Sequence, residues 1–151
     1  MSDPHSTIDD PRLGTLTRAR SELTDGTVLT HDWFVGTVSV DGAEVELMLE
    51  GTTPDEVAPL LPRLREVVAR LDTLRRIATD AVVTQFSTGE PEPHELDDAA
   101  SDLTLDTIES AADGTVVLHL NDGCGEHFPE GYWPAVHFGV DDTVAQVTVE
   151  S

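Results

Sequence analysis

Residues Leu60 to Phe86 read LLPRLREVVARLDTLRRIATDAVVTQF. Within them Leu60, Leu64, Val67, Val68, Leu71, Leu74, Ala78, Ala81 and Val82 recur at spacings of three and four, which draws one apolar stripe along a helix. Arg63, Glu66, Arg70, Asp72, Arg76 and Asp80 fall largely off that stripe. At about 1.5 Å per residue such a helix is roughly 40 Å long, enough to cross a whole face of a small sheet. The stretch also holds five of the chain's eight cations, every one of them arginine, against thirty carboxylates. One segment is therefore the main core-former and the main basic surface together.

Upstream of it the pattern is β. Leu13 and Leu16 open a first strand over residues 13–19, Thr24-Asp25-Gly26-Thr27 makes a turn, and residues 28–31 continue as extended chain. WFVGTVSV, then Asp41-Gly42, then AEVELMLEG reads as a hairpin around a tight turn. Its second strand alternates Val45, Leu47 and Leu49 with Glu44, Glu46, Met48 and Glu50, so one face is buried and the other is acidic and solvated. Thr53-Pro54-Asp55-Glu56 has capping-box spacing with proline at the first helical position. Pro59 and Pro62 predict a short turn over 54–58, a kink, and then the long helix from Leu60 or Leu61 to about Ser87.

Downstream, TGEPEPHELDDAAS at 88–101 reads as loop with room for a helical turn over 93–100. Leu103, Leu105 and Ile108 restore the β pattern, Ala112-Asp113-Gly114 turns into TVVLHL, and the glycine-bearing NDGCGEHFPEG connects to YWPAVHFGV and VAQVTVE. Pro134 suggests a sheet edge or the start of a strand. The order of strands, one long helix and more strands predicts an α+β domain. It is expected to be an antiparallel sheet of about six to seven strands packed against one long central helix. It would span residues 12–151 as a single domain, behind a disordered acidic arm at 1–11.

These pieces resemble the bacterial family catalogued as domain of unknown function 2262. The resemblance is carried by Leu13-Gly14-Thr15-Leu16-Thr17, by Trp33-Phe34-Val35-Gly36-Thr37-Val38, by Val45 to Gly51, and by the helix followed by Leu103–Ile108 and Val116–Leu120. It spans roughly residues 12–150. The family's lysine-rich helix is arginine-rich here, and its aromatic-rich last strands are matched in part by Tyr132-Trp133 and Phe138. What the resemblance implies is a fold; it brings no catalytic residues with it.

With 151 residues the chain suits one domain with a proper core, and one cysteine excludes an internal disulfide. No apolar run reaches the length of a membrane span, and MSDPHSTIDDPR has neither the basic nor the apolar region of a secretory signal, so a cytoplasmic protein is the expectation. The formal net charge is −22. A GC-rich genome, a salt-rich cytoplasm or a basic partner would each favour it, whereas phosphate contacts need clustered Lys and Arg, so direct nucleic-acid binding is disfavoured.

Six of the seven aromatics fall in two stretches, Trp33-Phe34 and the group Phe128, Tyr132, Trp133 and Phe138, and His31, His119, His127 and His137 keep them company. Should the two stretches meet, one end of the sheet would gather Trp33, His119, Cys124, His127, Tyr132, Trp133 and His137 as a ligand site. Cys124 and His127 have a C-x2-H spacing that His119 or His137 could extend to a metal set, but structural zinc sites carry paired spacings and a single thiol falls short. Cys124 beside a histidine is also the minimum for a thiol nucleophile, without any sign of an oxyanion hole. No P-loop, dinucleotide, nucleophile-elbow, zincin or EF-hand pattern is present, so no metal or cofactor is called for. The expectation is a non-enzymatic protein-binding or inhibitor-like module, of the immunity-protein kind, for a basic protein partner. The alternative is a ligand- or metal-binding enzyme using the aromatic and histidine group. A strand edge beginning at Tyr132 would also allow a homodimer.

Overall fold

A computed structural model describes residues 7–123 and 128–151. Its eight strands lie side by side in chain order: β1 (Thr7–Asp10), β2 (Gly14–Glu22), β3 (Val28–Val40), β4 (Ala43–Glu50), β5 (Leu103–Ser110), β6 (Val116–Asp122), β7 (Trp133–Phe138) and β8 (Val144–Glu150). Every neighbouring pair is antiparallel except β4 with β5. Parallel neighbours need a crossover, and here it is helical: α1 (Pro54–Val57), a 3-10 turn (Ala58–Leu60), α2 (Leu61–Ala69), α3 (Leu71–Phe86) and α4 (Pro93–Asp102). Two four-stranded meanders are thus joined edge to edge, with the helices bridging them. Among the described residues no helix is long and apolar enough to cross a membrane.

This α+β arrangement corrects the expected one. The sheet has eight strands rather than six or seven, and the long central helix is two helices broken at Arg70, whose φ of −110° and ψ of 21° leave the helical region. The apolar stripe runs through the break in phase, since Leu61, Leu64 and Val67 before it and Leu71, Leu74, Ala78 and Val82 after it are all buried in one cluster. A break that preserves the spacing of the stripe leaves no mark on the periodicity. The additional strand, β1, falls inside the stretch expected as a disordered arm. Ile8 is its one apolar side chain, and its pairing with β2 is fixed instead by Asp10. Nor is β7 an edge: β6 and β8 flank it, and the edges are β1 and β8. Pro134 is tolerated because the β6 pairing starts only at Ala135.

The core lies between the helices and one face of the sheet. Leu16, Phe34, Val38, Val45, Leu47, Leu49, Ile108, Val116, Leu118, Leu120, Val136 and Phe138 meet the buried side chains of all the helices there. Several local signals hold as read. Thr53 caps α1 by accepting the Glu56 N–H, and Asp41 and Gly42 both take positive φ, as a two-residue hairpin turn demands. Gly36 explains the Trp-Phe-x-Gly start of β3, because a Cβ there would stand 2.5 Å from Leu16 Cδ2.

Arginines pin the layers together. Arg63 on α2 donates to Gly114 O at 3.0 Å, Gly139 O at 2.8 Å and Asp142 Oδ1 at 2.6 Å, tying the helix to both turns at one end of the second meander. Arg70 reaches the other Asp142 oxygen at 2.6 Å. On the first meander, Arg65 binds the Asp10 carboxylate, and Arg18 of β2 donates to His31 O and Thr52 O. Asp10 also accepts the backbone N–H groups of Arg12 and Leu13 at 2.9 and 3.0 Å, which closes the turn from β1 into β2.

Two predictions follow from this interior. The Arg65 hydrogen bonds, reinforced by those two N–H groups, hold the Asp10 carboxyl at about 2, below the ordinary 3.8, against the opposing effect of burial. A depressed carboxyl contributes stability above its ordinary value and loses it as pH falls toward 2. Asp10→Asn should therefore lose on the order of 2 kcal/mol at pH 7 and flatten the acid limb between pH 4 and 2, read by urea denaturation across pH. An unchanged acid limb would remove Asp10 as the cause. The Ser110 hydroxyl is fully buried with no hydrogen-bond partner among the described residues. Ser110→Ala should raise stability by about 1 kcal/mol, read as a higher melting temperature; a fall would show that the hydroxyl finds a partner in solution.

Candidate functional site

Because all the described helices pack on one face, the opposite face of the sheet is built from the alternate residues of each strand. On β3 these are Trp33, Val35, Thr37 and Ser39; on β4 they are Glu44, Glu46, Met48 and Glu50, paired across the two strands in that reverse order. Glu46 is next to Thr107 of β5 and Met48 next to Glu109. An irregularity between Leu105 and Thr107 brings the exposed Asp106 to this face, where it borders a depression of about 340 Å³ with Glu44, Glu46 and Thr37. Glu44, Glu46 and Glu50 are exposed, while Trp33, Met48 and Trp133 are half-buried among them.

A hydrogen-bonded group occupies the β5–β7 part of this face. The Trp133 indole N–H donates to His119 Nδ1 at 3.1 Å, and an indole can only donate. Nδ1 is therefore the acceptor, and the proton sits on Nε2, which lies 3.2 Å from Glu109 Oε1 and donates to it. This hydrogen bond is the main reason the Glu109 carboxyl lies below the usual glutamate range, with partial burial acting the other way. Next to it, the single Thr148 hydroxyl proton goes to Glu150 Oε1 at 2.9 Å, so His137 Nε2 is the donor in its 3.0 Å contact with Thr148 Oγ1. Both ring nitrogens of His119 are already engaged. It could act as a base only by giving up Trp133.

Of the seven residues expected to form one site, the five that are described do not gather in one place. His119 and Trp133 do meet, and His137 sits one strand over and two residues along on the same face. Trp33 is three strands away from β6 and is stacked on His31 at 4.7 Å between ring centroids. Tyr132 lines a groove on the helix side. Cys124 and His127 lie outside the described residues. Among the described residues, no group of three or more His, Cys, Asp and Glu side chains converges as a metal site would require.

That groove, about 680 Å³ between the end of α3, α4 and the β7–β8 end of the sheet, was not legible in the sequence. Phe86, Phe128, Tyr132 and Val149 supply apolar walls, and His94, Glu95 and Asp98 supply its polar rim. Its signal was present but scattered: Phe86 ends the apolar stripe and lies exposed, and Glu95 and Asp98 share one side of α4, where the sequence suggests a loop with room for a helical turn over 93–100. Compared with protein-family models, curated proteins and solved structures, the chain matches none.

The Glu109 bond yields a direct test. In His119→Ala the Glu109 carboxyl should titrate higher than in the wild type, approaching the ordinary range, as followed by NMR of the side-chain carboxyl carbon. A midpoint that stays put would show that His119 is not what depresses it.

Proposed function

We propose that this protein is a non-enzymatic binding module whose open sheet face docks a basic protein partner, in the manner of an inhibitor or immunity protein, in the cytoplasm. The observation that carries the reading is how charge is divided. Arg18, Arg63, Arg65, Arg70 and Arg76 are each bound to a carboxylate or backbone oxygen of the same chain. The net −22 is thus left to the surface, and Glu44, Glu46, Glu50 and Asp106 show it on a sheet face that also bears Trp33, Met48 and Trp133. Aromatic and methionine side chains ringed by charge are what a protein interface uses, the apolar groups for affinity and the charges for steering and selection.

The enzyme alternative has less support. The described residues it needed do not converge, and its two described histidines, His119 and His137, are held by hydrogen bonds within the chain.

Affinity capture from the native lysate tests the proposal. A basic protein should be recovered at stoichiometric yield at low salt and be lost as salt shortens the screening length to a few ångströms. Replacing Glu44, Glu46 and Glu50 together by Gln should weaken that capture at least ten-fold and reduce its salt dependence, without lowering the melting temperature. Capture that is indifferent to both salt and the triple variant would sink the assignment to this face.

A further inference from the structure

The helix-side groove is a second site with its own ligand chemistry. We infer that it binds a small cationic amphiphile, an amine or quaternary ammonium carrying an apolar tail. The volume of about 680 Å³ falls in the range of pockets that enclose small organic ligands. Its walls are apolar and aromatic: Phe86 and Phe128 meet edge to face at 5.7 Å, and Tyr132 stands on the same rim. Phe86 and Tyr132 are 52% and 50% exposed, so the groove presents a contiguous aromatic surface of the kind that marks ligand grooves.

The polar groups choose the sign of the charge. Glu95 and Asp98 stand three residues apart on α4 and both border the groove, where His94 is the one basic side chain among the described lining residues and no arginine reaches it. Among the described residues Asp98 has no hydrogen-bond or ion-pair partner, and Glu95 spends one oxygen on the Glu92 N–H at 3.1 Å. Aromatic faces and carboxylates around one space are complementary to an ammonium head, through ring quadrupoles and through charge. The tail then lies on Val82, Leu103 and Val149. A second copy of this chain fits poorly, since each copy would bring its own net charge of −22 to an acidic rim. This site is independent of the sheet face, which lies on the other side of the molecule.

The test uses the full chain and three probes of equal tail length below their micelle concentrations: octyltrimethylammonium, octanoate and octyl glucoside. Octyltrimethylammonium should saturate, with amide NMR shifts confined to residues of α3 near Phe86, of α4 near Asp98 and around Tyr132. It should bind at least ten-fold more tightly than either other probe. Glu95→Gln with Asp98→Asn, which keeps the helix-capping acceptor at position 95, should lower its affinity at least five-fold while leaving octyl glucoside unaffected. Three results would overturn the inference: shifts spread over the acidic surface, equal binding of octanoate or octyl glucoside, or concentration-dependent dimers giving the same shifts without any probe. None of these outcomes depends on whether the sheet face binds a protein.

Discussion

The guanidinium of Arg63 holds this architecture in register. The two meanders share one strand pair, β4 with β5, over Glu46–Leu49 and Thr107–Ser110. The helices bridge them as well. Arg63 fastens α2 to the second meander through three acceptors, two of them carbonyls at the ends of separate hairpin turns. Two residues along the same helix, Arg65 fastens it to Asp10 of the first. A lysine could not do this, because its ammonium is a single point of charge while a guanidinium presents a planar fork to several oxygens at once. A partly buried ion pair adds little net stability over an apolar replacement, but removing one member strands the other. The bonds of Arg63 and Arg65 therefore act mainly on where α2 sits, and the apolar stripe beneath supplies the free energy.

That use of arginine decides what the surface looks like. In a chain with thirty carboxylates and eight arginines, every arginine drawn inward leaves the outside more negative. Arg18 shows the effect at its strongest: its side chain is 5% exposed and donates to two backbone oxygens, while the nearest carboxylate, Asp32, lies 3.8 Å away and faces water. Structural cations and surface anions are thus one design, and the field around the molecule follows from how its helices are attached.

The sequence carried the parts of this fold that depend on local rules and missed those that depend on where pieces meet. The Asp41-Gly42 hairpin, the Thr53 cap and the alternation of β4 were legible because each is settled within a few residues. The break at Arg70 was hidden by a stripe that stays in phase through it. Strand β1 was hidden because a buried, arginine-bound Asp10 looks like any solvated acid in a sequence. Of the residues expected at one site, His119 and Trp133 do touch, whereas Trp33 stands apart because the strand order puts three other strands between β3 and β7. The neighbouring residues Tyr132 and Trp133 part company because Trp133 begins a strand and faces outward, whereas Tyr132 precedes it at the rim of the groove.

Salt adaptation or base composition would each account for acids on the sheet face without a partner. Either cause puts acids wherever a strand meets water, so Glu44, Glu46 and Glu50 on the outward positions of β4 need no further reason. Met48 does. It occupies the same outward row between Glu46 and Glu50, opposite Val35 and beside Glu109. A need for hydration does not favour methionine and valine side by side on a solvated face. A surface selected only for solubility would carry Thr or another acid there. If this face docks a partner as proposed, the apolar positions within the acidic row, rather than the acids themselves, are what set it apart from a coat selected for hydration.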